Sequence, residues 1–414
     1  METITRKITD RKTVLGMIIL CAAVYFVSYL TRINYSAVLV QIISETGLAK
    51  TAASMPLTGL FITYGFGQLI SGYMGDKFRP EKLIFTGLTL SAAMNVAIAF
   101  AHNSVLMTAI WCVNGFAQAL MWPPLVKILT TYLTQEDYRR YITYIGYGSS
   151  LGTIVVYLFT PAILAVGSYR TVFILCAAVA VGMAFFWIRK IGTFEAKAAD
   201  TQTTVSAAPG VPGSMPLNRT AICLLVFIMM SICMQGVLRD GISTWMPTYI
   251  ADVFKFSNST SILTGVLLPV FSMAMMSASA FLNQKVKNEA ASSAIFFGGC
   301  ILGSLVMCLA PEGNPVLSII MLMLINGATH GINLMYTSMA VPHFARFGKT
   351  SFVTGAINSA VYVGSAISMY GVALITEKFG WGGTMLAWLI VAIVGFALCL
   401  PAVRLFVKLD NEEK

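Results

Sequence analysis

The chain has 414 residues, of which 57% are apolar and 11% charged, and it carries a formal net charge of +10. Its mean hydropathy of +0.78 excludes an ordinary soluble domain, so the composition indicates a protein that crosses a lipid bilayer many times. The positive charge does not indicate a nucleic-acid partner, because most of the 27 lysines and arginines fall in loops on one side of the predicted spans.

Apolar runs of about 20 residues or more, the length that crosses roughly 30 Å of hydrocarbon, recur along the whole chain. Six runs precede a polar break and six follow it. The predicted spans cover residues 14–43, 51–74, 82–101, 104–132, 141–166, 170–188, 220–250, 259–284, 291–311, 315–341, 352–376 and 382–404. The sequence therefore predicts an all-α membrane protein with twelve transmembrane helices in two six-helix bundles.

The polar break separates the two predicted bundles. We expect an N-terminal bundle at residues 1–190, a cytoplasmic linker at residues 191–218 and a C-terminal bundle at residues 219–414. Small residues, proline and glycine in the linker are typical of a flexible connection. An even number of spans puts both termini on one side, which the excess of basic residues makes cytoplasmic. No cleavable signal peptide is evident, so we predict a multi-pass protein of the cell inner or plasma membrane.

Two arginines lie inside predicted spans, Arg32 in the first and Arg239 in the seventh. A guanidinium stays charged and is costly at bilayer depth, so an intramembrane arginine is a candidate for a functional site. The two are 207 residues apart in a chain of 414, which gives them matching places in the two halves. Tyr25 and Tyr29 precede Arg32 by helical spacings and share its face. The pattern predicts a site for a dianion such as phosphate; the alternative is a structural tie between Arg32 and Asp240 or a helix end.

The two halves also repeat in their loops. Residues 75–77 (GDK) and 283–285 (NQK) are offset by 208, and residues 138–140 (YRR) and 347–349 (FGK) by 209. Offsets that agree this closely indicate a duplicated six-helix unit. Parallel repeats about an axis along the membrane normal, with the substrate near the midplane, are the arrangement of major facilitator transporters.

Five motifs carry a family resemblance. Residues 72–80 (GYMGDKFRP) resemble the short acidic and basic loop of major facilitator transporters. Residues 29–34 (YLTRIN), 64–68 (YGFGQ), 122–124 (WPP) and 239–249 (RDGISTWMPTY) resemble the organophosphate:phosphate antiporter family, the glycerol-phosphate and hexose-phosphate carriers. The resemblance covers essentially the whole chain and implies the major facilitator fold.

The resemblance also implies roles for particular residues. The substrate-binding residues that it implies are Arg32, Arg239, Tyr25, Tyr29, Tyr64, Gln68, Trp122 and Tyr362. In the loop, Asp76, Lys77 and Arg79 match a latch that stabilises one conformational state. Tyrosine and tryptophan at these positions could also be plain packing residues.

This chain departs from the family pattern at two places. Gln68 stands where these carriers commonly have a lysine, and residues 148–152 (GSSLG) stand where some have a histidine. The loss of positive charge predicts a different or less highly charged substrate, or a different coupling ion. Asp240 and His330 are the candidate substitutes for coupling or substrate contact. Asp240 directly follows Arg239, so we expect it to point about 100° away around the helix.

We therefore predict a secondary active transporter that exchanges a small organic phosphate for inorganic phosphate by alternating access. It is expected to act as a monomer, with no cofactor and no metal. Two alternatives stay open: a proton-coupled symporter of an organic anion with a carboxylate, sulfonate or phosphonate head, and a non-transporting membrane sensor of sugar phosphates. No enzyme is predicted, because the sequence has no nucleotide phosphate loop, no HExxH motif and no nucleophile beside a base and an acid.

Overall fold

The computed structural model describes residues 4–5, 7–8, 10–200, 203–204, 217–309, 314–347 and 350–412. Within these ranges the chain is helical apart from short connections and one pair of two-residue strands. In that pair β1 (Ile4–Thr5) runs antiparallel to β2 (Thr203–Thr204). The predicted all-α class is confirmed.

The N-terminal half consists of long helices joined by short loops. The helices are α1 (Arg11–Thr46), α2 (Lys50–Lys77), α3 (Pro80–Ala99), α4 (Ser104–Ala119), α5 (Trp122–Tyr132), α6 (Gln135–Val166) and α7 (Tyr169–Asp200). The fourth predicted span is divided into α4 and α5, and α5 begins at Trp122 with proline in its first turn. A proline further inside a helix would remove an amide donor and clash with the preceding turn, so the helix restarts there.

The C-terminal half follows the same plan. Its helices are α8 (Arg219–Phe254), α9 (Asn258–Thr264), α10 (Leu267–Val286), α11 (Glu289–Leu309), α12 (Pro315–Leu334) and α13 (Thr350–Asn411). A π-helical turn (Met335–Met339) and a 3-10 helix (Val341–Phe347) continue α12. The long α13 is two helices that meet at Gly380, whose φ of 68° lies in the region that glycine tolerates best.

The helices are long enough for the predicted twelve spans. Over the described residues, ten helical stretches can cross a membrane by length and composition, and one of them, Val353–Leu409, contains both parts of α13. The 28-residue α2 adds a further long apolar helix. The chain is thus a multi-pass membrane protein, consistent with the six-plus-six plan.

The predicted linker begins inside a helix. The sequence predicts that the linker starts at residue 191, but α7 continues to Asp200. Alanine, glutamate and lysine dominate residues 195–199, and these residues favour helix. Residues 201–202 and 205–216 of the predicted linker lie outside the described residues.

The chain forms two compact units whose boundaries cut through α1 and α2. The first unit contains Met1–Tyr35 and Phe66–Pro212, and the second contains Ser36–Gly65 and Gly213–Lys414. The end of α1 and the start of α2 therefore pack with residues of the C-terminal half. The predicted bundles, residues 1–190 and 219–414, stay a prediction about the repeat.

Glycines bring helices close together inside each unit. A Cβ on Gly148 would lie 2.7 Å from the Ala22 carbonyl oxygen, and one on Gly152 would lie 2.7 Å from the Phe26 carbonyl oxygen, so α6 packs backbone to backbone on α1. In lipid, burying apolar surface between helices gains little, because the lipid tails are equally apolar. Close packing at small residues therefore stabilises the contact between the helices. A Cβ on Gly146, two residues before Gly148 on α6, would meet no atom within 4 Å.

Candidate substrate-binding site

In the first unit, Arg32 lies at one end of an aromatic cluster. Its side chain is 7% exposed, and its Cζ lies 5.5 Å from the centroid of the Tyr29 ring. The Tyr25 ring lies 5.2 Å from Tyr29 and 4.5 Å from Trp122, measured between centroids. Tyr25, Tyr29 and Arg32 share one face of α1 because of their spacing, and the packing of α5 on α1 adds Trp122, the first residue of α5.

A buried polar network holds the backbone beside Arg32. The Thr31 carbonyl accepts hydrogen bonds from the side-chain amides of Asn95 (3.0 Å) and Asn114 (3.1 Å). The Thr31 hydroxyl accepts from Ser91 (3.0 Å) and from the Gln118 amide (2.9 Å). Polar groups in lipid must find such partners inside the protein. The network ties α1 to α3 and α4 and thereby fixes the rotation of α1 that orients Arg32.

Sequence reasoning missed this network, although a signal for it was present. Ser91 and Asn95 are four residues apart in one apolar span, and Asn114 and Gln118 are four apart in the next. Residues with this spacing share a helix face. Two polar pairs of this kind inside apolar spans indicate helix faces turned toward protein.

In the second unit, Arg239 is paired with the residue that follows it. Its Nε donates to Asp240 Oδ1 at 3.0 Å, and its Nη2 donates to Asp240 Oδ2 at 2.7 Å. Both side chains are largely buried. We expected Asp240 to point away, but the long arginine side chain curls around α8 to reach both oxygens. This two-point geometry is the one that a guanidinium uses for any carboxylate or phosphate.

Two neighbouring helices present polar groups to this pair. From α13, the Ser365 hydroxyl is hydrogen-bonded to Asp240 Oδ2 and lies 3.0 Å from the Val361 carbonyl oxygen. From α12, the imidazole of His330 lies close enough to Arg239 and Asp240 for their charges to act on it. His330 Nδ1 lies 2.9 Å from the Asn326 carbonyl oxygen. A carbonyl only accepts, so Nδ1 carries the proton.

Two more candidate residues contact each other in the second unit. The rings of Tyr64 and Tyr362 meet edge to face at a centroid distance of 4.5 Å, and Phe61 stacks on Tyr362 at 6.2 Å. A Cβ on Gly65 would lie 3.3 Å from the Tyr362 Cβ, so a larger residue there would crowd the aromatic pair.

In the first unit, Gln68 Nε2 is buried and has no hydrogen-bond partner in the described part of the chain. A buried donor of this kind is costly unless water or a ligand accepts from it.

The predicted latch in the loop between α2 and α3 is only partly described. The side chains of Asp76 and Lys77 lie outside the described residues. Arg79 is the N-cap residue of α3, and its Nε lies 3.5 Å from the carboxylate of Glu81. The latch therefore stays a prediction.

A second set of contacts, absent from the sequence prediction, lies at the start of α2. Lys50 Nζ lies 2.6 Å from Asp252 Oδ2, to which the Trp381 indole also donates at 3.0 Å. We call these three residues the Lys50 cluster. Beside it, the carboxylate of Glu377 accepts from the Thr51 amide at 2.7 Å. All of these residues belong to the second unit, so they hold the Ser36–Gly65 segment on the C-terminal half.

The contacts of this segment follow the internal repeat. The Asn258 amide donates to Ser44 at 2.8 Å. Adding 208 to Ser44 gives Asp252, and subtracting 208 from Asn258 gives Lys50. The contact between Ser44 and Asn258 is thus the repeat-related copy of the contact between Asp252 and Lys50.

Residues 21–369 match the model of the Major Facilitator Superfamily. The chain belongs to the Major Facilitator Superfamily.

Among the described residues, no group of three or more histidine, cysteine or acidic side chains could hold a metal ion.

Relatives within the superfamily agree with the resemblance that the motifs predicted. The chain is 23% identical over 401 residues to the glycerol-3-phosphate transporter of Bacillus subtilis, a match that covers 89% of this chain and 88% of the relative. It is 20% identical over 407 residues to a probable hexose phosphate transport protein of Chlamydia trachomatis. This match covers 91% of this chain and 88% of the relative. The predicted resemblance is confirmed.

Solved structures of the superfamily share the fold. A bacterial homolog of the human lysosomal transporter Spinster, in an inward-facing and unoccupied conformation, superposes with a TM-score of 0.76 at 12% identity and covers 97% of this chain and 99% of its own. At this identity the match shows the major facilitator fold alone.

Proposed function

We propose that this chain is a secondary active transporter of a small organic phosphate, which it exchanges for inorganic phosphate. Arg32 and Arg239 both bind the phosphate group, and alternating access moves it across the membrane. The observation that carries the proposal is the presence of two largely buried guanidinium groups at matching places in the repeat. The names of the relatives support a phosphorylated substrate.

The surroundings of each arginine support this role. Arginine binds phosphate through two parallel hydrogen bonds, and the aromatic cluster of Tyr25, Tyr29 and Trp122 supplies a wall and hydroxyl groups beside Arg32. One turn beyond Arg32 on α1, Ser36 accepts a hydrogen bond from Thr244 on α8 at 3.3 Å. Arg239 precedes Thr244 by five residues on α8.

The contacts of the Ser36–Gly65 segment support a cycle of alternating access. Opening a path from the side of the Lys50 cluster requires the Ser36–Gly65 segment to leave the C-terminal residues on which it packs. Closing it requires the same contacts to form again. The predicted latch at Asp76, Lys77 and Arg79 would act in the same way at the other end of α2. We propose that the protein works as a monomer in the inner or plasma membrane with both termini in the cytoplasm.

Exchange of labelled phosphate tests the proposal. Purified protein in phosphate-loaded liposomes should take up labelled inorganic phosphate, and external glycerol 3-phosphate should compete with it. Arg32→Lys and Arg239→Lys keep the positive charge but remove the two parallel N–H donors of the guanidinium. Each variant should therefore reduce exchange by about 100-fold, which corresponds to the loss of one strong charged pair of hydrogen bonds. Arg170→Lys is the matched control, because Arg170 also contacts a neighbouring tyrosine ring but lies at the start of α7.

Each contrary result has a clear reading. Near-normal exchange in either arginine variant would contradict the two-arginine site. Phosphate binding without flux would favour the sensor alternative. Uptake that needs a pH gradient and shows no phosphate exchange would favour the symporter of another organic anion.

A further inference from the structure

Asp240 and the transported anion need the same donors of Arg239. The Asp240 carboxylate takes both Nε and Nη2 of the guanidinium, which is the two-point geometry that a phosphate or sulfonate would use. The charge of the pair is zero, so an approaching anion meets no net attraction from it. An anion can use Arg239 fully only when this carboxylate is displaced or neutralised.

The site around Asp240 can satisfy the carboxyl group in either protonation state. Ser365 Oγ lies within hydrogen-bond distance of both Asp240 Oδ2 and the Val361 carbonyl oxygen. A hydroxyl has one proton to donate and lone pairs to accept. When Asp240 is ionised, Ser365 donates to the carboxylate. When Asp240 is protonated, its O–H donates to Ser365 Oγ, which turns its own proton to Val361.

The other titratable groups near Asp240 come from the helices that pack on α8. From α12, His330 lies within electrostatic range of Arg239 and Asp240, and with Nδ1 donating to Asn326 its Nε2 is the ring acceptor. From α13, Tyr362 lies one turn before Ser365. The described residues of α9 include no titratable side chain. On α8 itself, Arg239 is the charged group paired with Asp240.

We infer that Asp240 is a built-in competitor of the transported anion, and that protonation of Asp240 releases Arg239 for binding. One proton from water adds to a carboxylate oxygen, the ion pair breaks, and the anion takes the freed Nε and Nη2 donors. When the anion leaves, the proton returns to water and the pair forms again. Each bound anion therefore brings one proton with it. This inference rests on the proposed function, because it concerns the same arginine.

The test measures binding of sulfate to the purified full-length protein between pH 5.5 and pH 8. Sulfate stays a dianion over this range, so any pH dependence belongs to the protein. In the wild-type chain the affinity should rise by up to about tenfold per unit decrease in pH, the limit for one coupled proton. Asp240→Asn should bind sulfate tightly at pH 8 and show no such slope, whereas Asp240→Glu should keep it.

Two further variants identify the group that takes the proton. Asp252→Asn removes another ion-paired carboxylate of the same helix and should leave the slope unchanged. His330→Asn should also keep the slope, while the loss of the slope in His330→Asn but not in Asp240→Asn would overturn the inference. A flat profile in the wild type, or an unchanged slope in Asp240→Asn, would overturn it while the proposed function stands. No anion binding by the wild type at any pH, with inorganic phosphate as a second probe, would instead reject the proposed function and the inference with it.

Discussion

Replacing Lys50 with methionine should loosen the Ser36–Gly65 segment from the C-terminal residues on which it packs. Methionine keeps an unbranched apolar stem, so its contact with Trp381 survives while the charge is lost. Asp252 then loses its cationic partner and keeps the indole hydrogen bond. The change removes one ion pair without opening a cavity.

The expected size of the effect follows from the geometry of the Lys50 cluster. The Lys50 and Asp252 side chains are 20% and 38% exposed, so their pair should contribute about 1 kcal/mol, the upper end for ion pairs that water still reaches. Lys50 Nζ also lies 5.0 Å from the centroid of the Trp381 ring, which adds about 0.5 kcal/mol. Losing the ion pair and the cation–π contact together shifts the equilibrium of the segment roughly tenfold from the docked toward the open state.

Cysteine labelling measures this equilibrium. Thr248 lies one turn beyond Thr244 on α8 and is 1% exposed, and Thr244 contacts Ser36 of the segment. A thiol introduced by Thr248→Cys should react with a membrane-impermeant maleimide only when the segment opens. Lys50→Met should therefore speed labelling about tenfold, corrected for the eight native cysteines with the chain that lacks Thr248→Cys. Lys378→Met, which removes an exposed charge near Trp381, should leave the rate unchanged.

Two outcomes would refute this reasoning. The first is a labelling rate in Lys50→Met that stays within twofold of the parent. The second concerns the double variant Lys50→Met, Asp252→Asn. Its labelling rate should be close to that of Lys50→Met alone, because the partner charge is already gone. A further tenfold increase in the labelling rate would show that the two residues do not act as a pair.

Three further predictions concern the site and its support. Asn95→Leu removes one of the amides that hold the Thr31 carbonyl, so it should weaken phosphate binding about tenfold with a loss of about 1 kcal/mol in the free energy of unfolding, and unchanged binding would contradict a positioning role for the network. Gly152→Val should destabilise the protein by about 1–3 kcal/mol, because a Cβ there would lie 2.7 Å from the Phe26 carbonyl oxygen. Gly146→Val, whose Cβ would meet no atom within 4 Å, should shift the melting temperature little. Gln68→Lys adds a cation at a buried amide and should shift substrate preference toward more highly charged phosphates, which a competition series against labelled phosphate checks; an unchanged ranking would place Gln68 outside the binding site.

Features that depend on a single helix could be predicted from the sequence. Hydropathy alone predicted the long apolar helices, because the thickness of a bilayer fixes the length of an apolar run. The cluster of Tyr25, Tyr29 and Arg32 followed from the helical period, since residues three and four apart share a face whatever surrounds them. The matching places of Arg32 and Arg239 followed from the repeat of the sequence.

Features that depend on which helix faces meet, or on how a side chain turns, needed the tertiary structure. The partners of Thr31 lie on α3 and α4, and no local pattern says which face of those helices packs on α1. The ion pair of Arg239 and Asp240 depends on the path of a long, flexible side chain, which the 100° between neighbouring residues does not determine. Lys50 and Asp252 are 202 residues apart, and only the packing of α2 on α8 brings their charges together. The sequence by itself determined the long apolar helices and the two cations inside them, because these depend on local composition and spacing. The fold decided which groups those cations meet, because contacts between distant segments depend on packing.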